Sequence, residues 1–177
     1  ALTVLLGSLS GISISKLRAD VDGRVIAPED DEYDQARALF YGGMDRHPAA
    51  IVRVKDDMDV VRVVALARES GLELAVRSGG HSIPGHSVSE GGIVIDLADM
   101  RALEIDVEAR TAWAQTGLTA LGFTTAAAEH GLGVGFGDTG SVGIGGITLG
   151  GGVGYLVRKY GLTIDDLLAA DIVTADG

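Results

Sequence analysis

The sequence predicts an α+β protein of two lobes: a small parallel β-α-β lobe, then a larger antiparallel sheet lobe with helices. Three observations carry this. Two apolar runs, Ala49–Val54 and Leu72–Val76, flank a segment of helical period. Two alternating runs, Ala102–Val107 and Thr111–Thr116, flank the short break Glu108-Ala109-Arg110, which reads as an antiparallel hairpin. Finally, twelve of the 27 glycines fall between Gly131 and Gly154, threaded with Val, Ile and Leu. Such clustering marks backbone that approaches something closely, or a set of tight turns in a β-rich lobe.

Along the chain, residues 1–45 read as a helical or irregular segment with one clear helix near Asp31–Tyr41. Residues 46–100 form the small α/β lobe. Within it, Asp57 is placed to cap a helix from Met58 to Ser70, whose Val60, Val63, Val64 and Ala67 share one face. Gly71 supplies the stop. The strands on either side should then be parallel, joined by a right-handed crossover. Gly92–Leu97 is a further buried strand. Residues 101–177 form the second lobe: the hairpin, an alanine-rich helix over Leu118–His130, the glycine-rich stretch, and short helices at Tyr155–Tyr160 and Ile164–Ala170. Asp171–Ala175 reads as a last strand, ending on the hairpin signal Asp176-Gly177. A strand leading into a turn without a partner strand suggests a piece of something longer.

Composition narrows the function. The chain of 177 residues is 46% hydrophobic and 22% charged, enough for a sizeable core. A net charge of −11 argues against nucleic acid and anionic membrane surfaces as partners. An anionic small ligand would need locally placed amides and an arginine. The chain has no cysteine, so disulfides, thiolate catalysis and cysteine metal sites are excluded. The apolar start Ala1-Leu2-Thr3-Val4-Leu5-Leu6-Gly7 lacks a basic leading segment and a cleavage site, which directs the expectation to the cytoplasm.

The most informative motif is Arg77-Ser78-Gly79-Gly80-His81-Ser82, just past a strand end. Adjacent glycines let the backbone aim its N–H groups at one point, a nest for anions and above all phosphates. Arg77 and the Ser78 and Ser82 hydroxyls add charge and donors, and His81 lies within reach of the ligand. The same residues also make a polar turn with a loop histidine. Gly135-Phe136-Gly137-Asp138-Thr139-Gly140 matches G-x-G-x-x-G but is no dinucleotide fingerprint. No strand precedes it, and Ser141–Gly146 reads as too glycine-rich to open a helix. The whole stretch Gly137–Gly154 is better read as a second backbone cradle. His130 reads as a complement to a helix C-terminus and His47 as solvated. His81 and His86 lack a third ligand, so no metal site is expected.

Ala75-Val76-Arg77-Ser78-Gly79-Gly80-His81-Ser82-Ile83-Pro84-Gly85-His86-Ser87 resembles the flavin-attachment loop of the berberine-bridge-enzyme-like FAD oxidases. These belong to the vanillyl-alcohol-oxidase superfamily, with its PCMH-type FAD-binding domain. Gly140–Tyr155 followed by Arg158-Lys159-Tyr160-Gly161-Leu162 resembles the family's second signature, and Asp171–Gly177 its third. The motifs stand in the family's order.

The resemblance implies a two-lobed FAD domain. The Arg77–Ser82 loop would hold the pyrophosphate. Gly140, Ser141, Val142, Gly143, Gly145 and Gly146 would contact pyrophosphate and flavin, and Val173 would offer backbone near the adenine. It further implies contacts at Gly85, His86, Leu97, Gly117, Asp138, Thr139 and Gly152. His81 takes the position that bonds the flavin 8α carbon, as a neutral imidazole nitrogen adding to an electrophilic methide tautomer. Thr139 stands where many relatives carry a cysteine, so no second, thioether link is implied. Ile147 and Val153 replace a histidine and a tyrosine of plant members, which departs from plant-type substrates. The family's substrate domain and catalytic base lie beyond the last motif, leaving Tyr155 as the nearby polar ring-facing candidate.

The implied function is the FAD-binding part of an oxidase. Hydride would pass from an alcohol, sugar or amine C–H to flavin N5, and dioxygen would be reduced to hydrogen peroxide. The implied partners are a small-molecule substrate, dioxygen, and the remainder of its own chain as a separate fragment. The alternatives are a non-covalent dehydrogenase or reductase on the same fold, and a non-catalytic flavin-binding module.

Overall fold

A computed structural model describes residues 13–177. The apolar start at Ala1–Gly7 lies outside the described residues. Ser13 caps the first helix, α1 (Ile14–Asp20), by accepting a hydrogen bond from the Lys16 amide at 3.3 Å. β1 (Arg24–Ile26) and α2 (Tyr33–Arg37) follow, then β2 (Ala50–Arg53). α3 (Asp57–Ser70) leads to β3 (Leu74–Arg77), and β4 (Ile93–Asp96) completes one sheet in the order β1-β2-β4-β3.

β2 and β3 both run parallel to β4, as the β-α-β reading expects, but β4 lies between them. All four β4 residues, Ile-Val-Ile-Asp, are buried, which suits a central parallel strand covered on both faces. β1 lies in the stretch expected to be helical or irregular; it is a strand antiparallel to β2. Three residues carry too few alternations to announce a strand.

Strand alternation sorts the apolar residues onto two faces. Ile51, Val94 and Ala75 lie in register across one face, packed with Ile26, Tyr33, Ala36 and Val88. Val52, Ile93 and Ile95 face the other way onto Leu17, Val63 and Ala67. Each fully buried Val or Ile contributes roughly 1.5–3 kcal/mol.

α3 begins one residue earlier than expected. Asp56, not Asp57, is its N-cap, accepting from the Asp59 amide at 3.0 Å, and Gly71 ends it in the left-handed region at φ 67°. Asp59 itself is fully buried and accepts from the amides of Asp22 (2.8 Å), Gly23 (2.8 Å) and Lys55 (3.0 Å), with Arg62 at 2.9 Å. That carboxylate pins the loop before β1 to the start of α3.

In the second lobe β5 (Leu103–Asp106) and β6 (Thr111–Ala114) form the expected hairpin, a separate two-stranded antiparallel sheet among the described residues. α4 (Ala120–Ala128) is capped by Thr119, whose hydroxyl accepts from the Gly122 amide at 3.2 Å. Leu118, Ala120, Phe136 and Ile144 make the core, and Phe136 meets Phe123 edge-on at 5.1 Å between ring centres.

Three expectations for this lobe are corrected. Ile144–Leu149 is a helix, α5, despite its glycines. Its start is fixed from outside, by the Ile144 amide donating to Leu118 O at 3.0 Å, so tertiary contacts override propensity. After α6 (Val157–Tyr160), Thr163–Asp166 is a single 3-10 turn rather than the helix read at Ile164–Ala170. Asp171–Ala175 forms no strand, because no neighbouring strand pairs with it among the described residues. Asp176-Gly177 does turn the chain, Gly177 N–H donating to Thr174 O at 2.9 Å with Gly177 at φ 80°. The turn docks on α3, where Arg68 donates to Asp176 O at 3.2 Å.

Candidate functional site

β3 delivers the chain into the Ser78–Ser82 loop. Alternation along the strand buries Arg77, and its guanidinium pairs with Asp96 at 2.9 Å. Arg53 reaches the same carboxylate at 3.1 Å. Arg77 thus spends its charge on β4 rather than on the loop, and any anion held here meets backbone donors. Among the described residues, the N–H groups of Gly79, Gly80, His81 and Ser82 donate to no acceptor within the chain. Gly80 turns in the left-handed region at φ 71°, a conformation that lets neighbouring amides converge on one point.

The second glycine segment closes on this loop. A Cβ on Gly79 would lie 2.2 Å from the Gly143 nitrogen, and a Cβ on Gly143 would lie 2.1 Å from Ser78 Oγ. Neither position admits a side chain. A Cβ on Gly145 would meet Thr116 Cβ at 2.9 Å, and Ser78 Oγ donates to Thr116 O. Gly117 belongs to the same seam, with its would-be Cβ 1.8 Å from Leu97 O. Gly146, in α5, has nothing within 4 Å of its would-be Cβ. The lobes therefore meet backbone to backbone, leaving a bare surface edged by amides.

His81 stands at that junction. Its Nε2 lies 3.0 Å from Ser141 Oγ. The Phe40 ring stacks on the imidazole, with centres 4.0 Å apart and planes at 19°, and Tyr41 meets it edge-on at 6.2 Å. Phe40 is tied in place by its amide, which donates to Gly80 O at 3.2 Å. Burial pushes the His81 pKa below its ordinary 6.5, partly offset by a hydrogen bond to the Ser141 backbone. The ring is thereby held neutral near pH 7, the form whose nitrogen is a nucleophile. Phe40 and Tyr41 escaped the sequence reading. Their sequence signal is adjacency in a chain poor in aromatics; in the structure both are exposed, at 57% and 44%.

The other predicted residues distribute as follows. Ser82 Oγ accepts from the His86 amide at 3.0 Å, which shapes the loop, while the His86 side chain is exposed. Gly85 turns at φ 76° beside Met44. Asp138, Thr139 and Gly140 line a cleft of about 270 Å³ with Phe136, Leu121 and Tyr155. Val142 N–H donates to Thr139 O at 3.2 Å, and the segment is pinned at Gly152, whose carbonyl accepts from Thr163 Oγ1 at 3.2 Å. Val173 lies in the irregular stretch before the final turn.

A cradle of bare backbone with unpaired amides, beside a neutral histidine, fits a flat cofactor with an anionic bridge. Residues 48–177 match the family of the FAD binding domain. The chain belongs to that family. It is 38% identical over 157 residues to (R)-6-hydroxynicotine oxidase of Paenarthrobacter nicotinovorans, covering 89% of this chain and 34% of that protein. It superposes on wild-type BBE-like 1 of Physcomitrella patens with a TM-score of 0.84 at 28% identity, over 89% of this chain and 35% of the other. A glucooligosaccharide oxidase of Acremonium strictum, carrying a 6-S-cysteinyl, 8α-N1-histidyl FAD, gives 0.87 at 27% identity, over 93% and 35%. The chain spans about a third of the length of the relatives it matches. It is an FAD-binding domain of the PCMH type, in a family of FAD-linked oxidoreductases. Among the described residues, no helix is long and apolar enough to cross a membrane.

Proposed function

We propose that this chain is the FAD-binding part of a flavin-dependent oxidase, with the flavin anchored through His81 alone. The observation that carries this is the position of His81: a neutral imidazole where the two glycine segments meet. The amides of Gly79–Ser82 and those of Gly145 and Gly146 would hold the pyrophosphate, and Gly143, Gly145 and Gly146 would let the flavin ring approach. Residues 46–100 and 101–177 serve as the two FAD lobes. When bound, FAD supplies the acceptor for hydride from an alcohol, sugar or amine C–H, and dioxygen restores it with release of hydrogen peroxide.

His81 would hold the flavin covalently at its 8α carbon; forming that bond removes one N–H and one C–H, and dioxygen would take the two hydrogens with their electrons as hydrogen peroxide. Thr139 carries no thiol, so no thioether forms beside it. The doubly attached FAD of the Acremonium strictum oxidase supports the histidyl half of this reading. The substrate and dioxygen are the partners that such an oxidase requires. The test is peroxide release in air by the full-length protein that carries this chain. Turnover with an artificial electron acceptor but without peroxide would favour a dehydrogenase.

A further inference from the structure

We infer that Phe40 is a positioning residue for His81: stacked flat on the imidazole, it sets the plane in which that ring meets the flavin. The inference rests on the anchoring role proposed above for His81. It adds the group that aims the ring, drawn from the irregular segment between α2 and β2.

The lone pair of an imidazole nitrogen lies in the plane of the ring, so a bond from it leaves in that plane. The tilt of the His81 ring therefore decides where the bond points, and a poorly aimed group reacts slowly. Among the described residues the side chain that hydrogen-bonds the imidazole is Ser141, with Oγ 3.0 Å from Nε2. A hydroxyl rotates to suit its partner and keeps this contact at many tilts of the ring. The stack removes that freedom. With ring centres 4.0 Å apart and planes at 19°, Phe40 covers one face of the imidazole and leaves its edges open.

Phe40 is itself held. Residues 38–49 form neither helix nor strand, yet they are fastened along the loop that carries His81. The Phe40 amide donates to Gly80 O at 3.2 Å, one residue from His81. Farther along, Arg46 donates to Gly85 O at 3.0 Å and to Val88 O at 2.9 Å, and the Gly91 amide donates to His47 O at 2.8 Å. Tyr41 meets the Phe40 ring edge-on at 5.1 Å and limits its swing. Phe40 remains 57% exposed, so burial in a core does not account for its place. Its ring touches His81 rather than the reacting carbon, so it acts by orientation.

The experiment compares wild type, Phe40→Leu and Phe40→Trp in the full-length protein that carries this chain. Leucine keeps the apolar bulk but has no flat face; tryptophan keeps the face. The proton shifts of the His81 ring are read before flavin loading, then the rate at which flavin becomes acid-stable. FAD affinity is measured separately with each Phe40 variant combined with His81→Ala. In wild type the His81 ring protons should lie upfield, in the shielding zone of the Phe40 ring. Phe40→Leu should lose that shift and slow attachment about fivefold, the equivalent of one stacked pair. Its FAD affinity beside His81→Ala should stay unchanged, and Phe40→Trp should restore both shift and rate. Attachment at the wild-type rate in Phe40→Leu, a Phe40→Trp as slow as Phe40→Leu, or an equal loss of FAD affinity beside His81→Ala would overturn the inference. Wild type that releases its flavin in acid would instead overturn the anchoring role itself.

Discussion

Gly79 and Gly143 touch backbone to backbone: a Cβ on the first would lie 2.2 Å from the amide nitrogen of the second. These residues are far apart in sequence and belong to different lobes. Their contact places the loop of His81 against the segment of Ser141, and so assembles the candidate flavin site from two motifs that are each only glycine-rich on their own.

Alanine at either position must force the lobes apart. Gly79→Ala and Gly143→Ala should each lower stability by about 1–3 kcal/mol or more, read from the urea midpoint, because rigid backbone cannot yield as a side chain would. Both should also abolish FAD uptake. A variant with wild-type midpoint and flavin content would show that the contact is dispensable.

Gly146 makes the opposite case. Nothing lies within 4 Å of its would-be Cβ, and it sits inside α5. Without flavin, Gly146→Ala should stabilise the chain by about 0.5–1 kcal/mol through the helix. If this bare position exists for the cofactor, the same change should weaken FAD uptake about tenfold, an overlap worth ~1.4 kcal/mol. Thermal unfolding and flavin absorbance read the two effects separately, and unchanged uptake would remove Gly146 from the site.

Asp59 carries much of the first lobe's polar order. Burial raises its pKa, but the Asp22, Lys55 and Gly23 amides and Arg62 together outweigh burial and hold it below 3.8. A depressed carboxylate stabilises the fold above its unfolded pKa, and the contribution is lost as pH falls through the folded value. Asp59→Ala leaves three part-buried amide donors without their acceptor and should cost about 3 kcal/mol. It should also flatten the acid limb of stability below about pH 4. Urea titrations across that range provide the check.

The lowered pKa of His81 has the reverse ionisation but the same slope. Its charged form is disfavoured in the fold, so the unfolded chain binds more protons just below 6.5. The neutral ring's contribution is full above 6.5 and is lost as pH falls. Flavin-free wild type should therefore lose stability relative to His81→Gln between about pH 7 and 5. Parallel curves for the two proteins would show that His81 is not held neutral.

Much of this was legible in the residues. The apolar runs of β2, β3 and β4 and the helical period of α3 announce the first lobe, because burial on both faces leaves continuous Val and Ile. The loop from Ser78 to Ser82 and the glycine cluster announce the site, because only bare backbone tolerates such approach. Other features depend on contacts that no local pattern records. The helix at Ile144–Leu149 is nucleated by Leu118 O, from outside its own sequence. The three residues of β1 become a strand only beside β2. The β-rich run Asp171–Ala175 stays irregular for want of a partner, so propensity alone misled there. The pairing of Arg77 with Asp96 follows from side-chain alternation, which points Arg77 into the sheet and not toward the loop. The packing of Phe40 on His81 crosses a gap that sequence spacing does not reveal.

The covalent anchor is the central claim, and acid precipitation tests it most directly. The full-length protein carrying this chain, precipitated in acid and washed, should keep its yellow flavin in the pellet and show one FAD mass added to the peptide containing His81. His81→Ala should lose the colour to the supernatant or never acquire it. Flavin that washes out of the wild-type pellet, or that remains fixed in His81→Ala, would contradict the account.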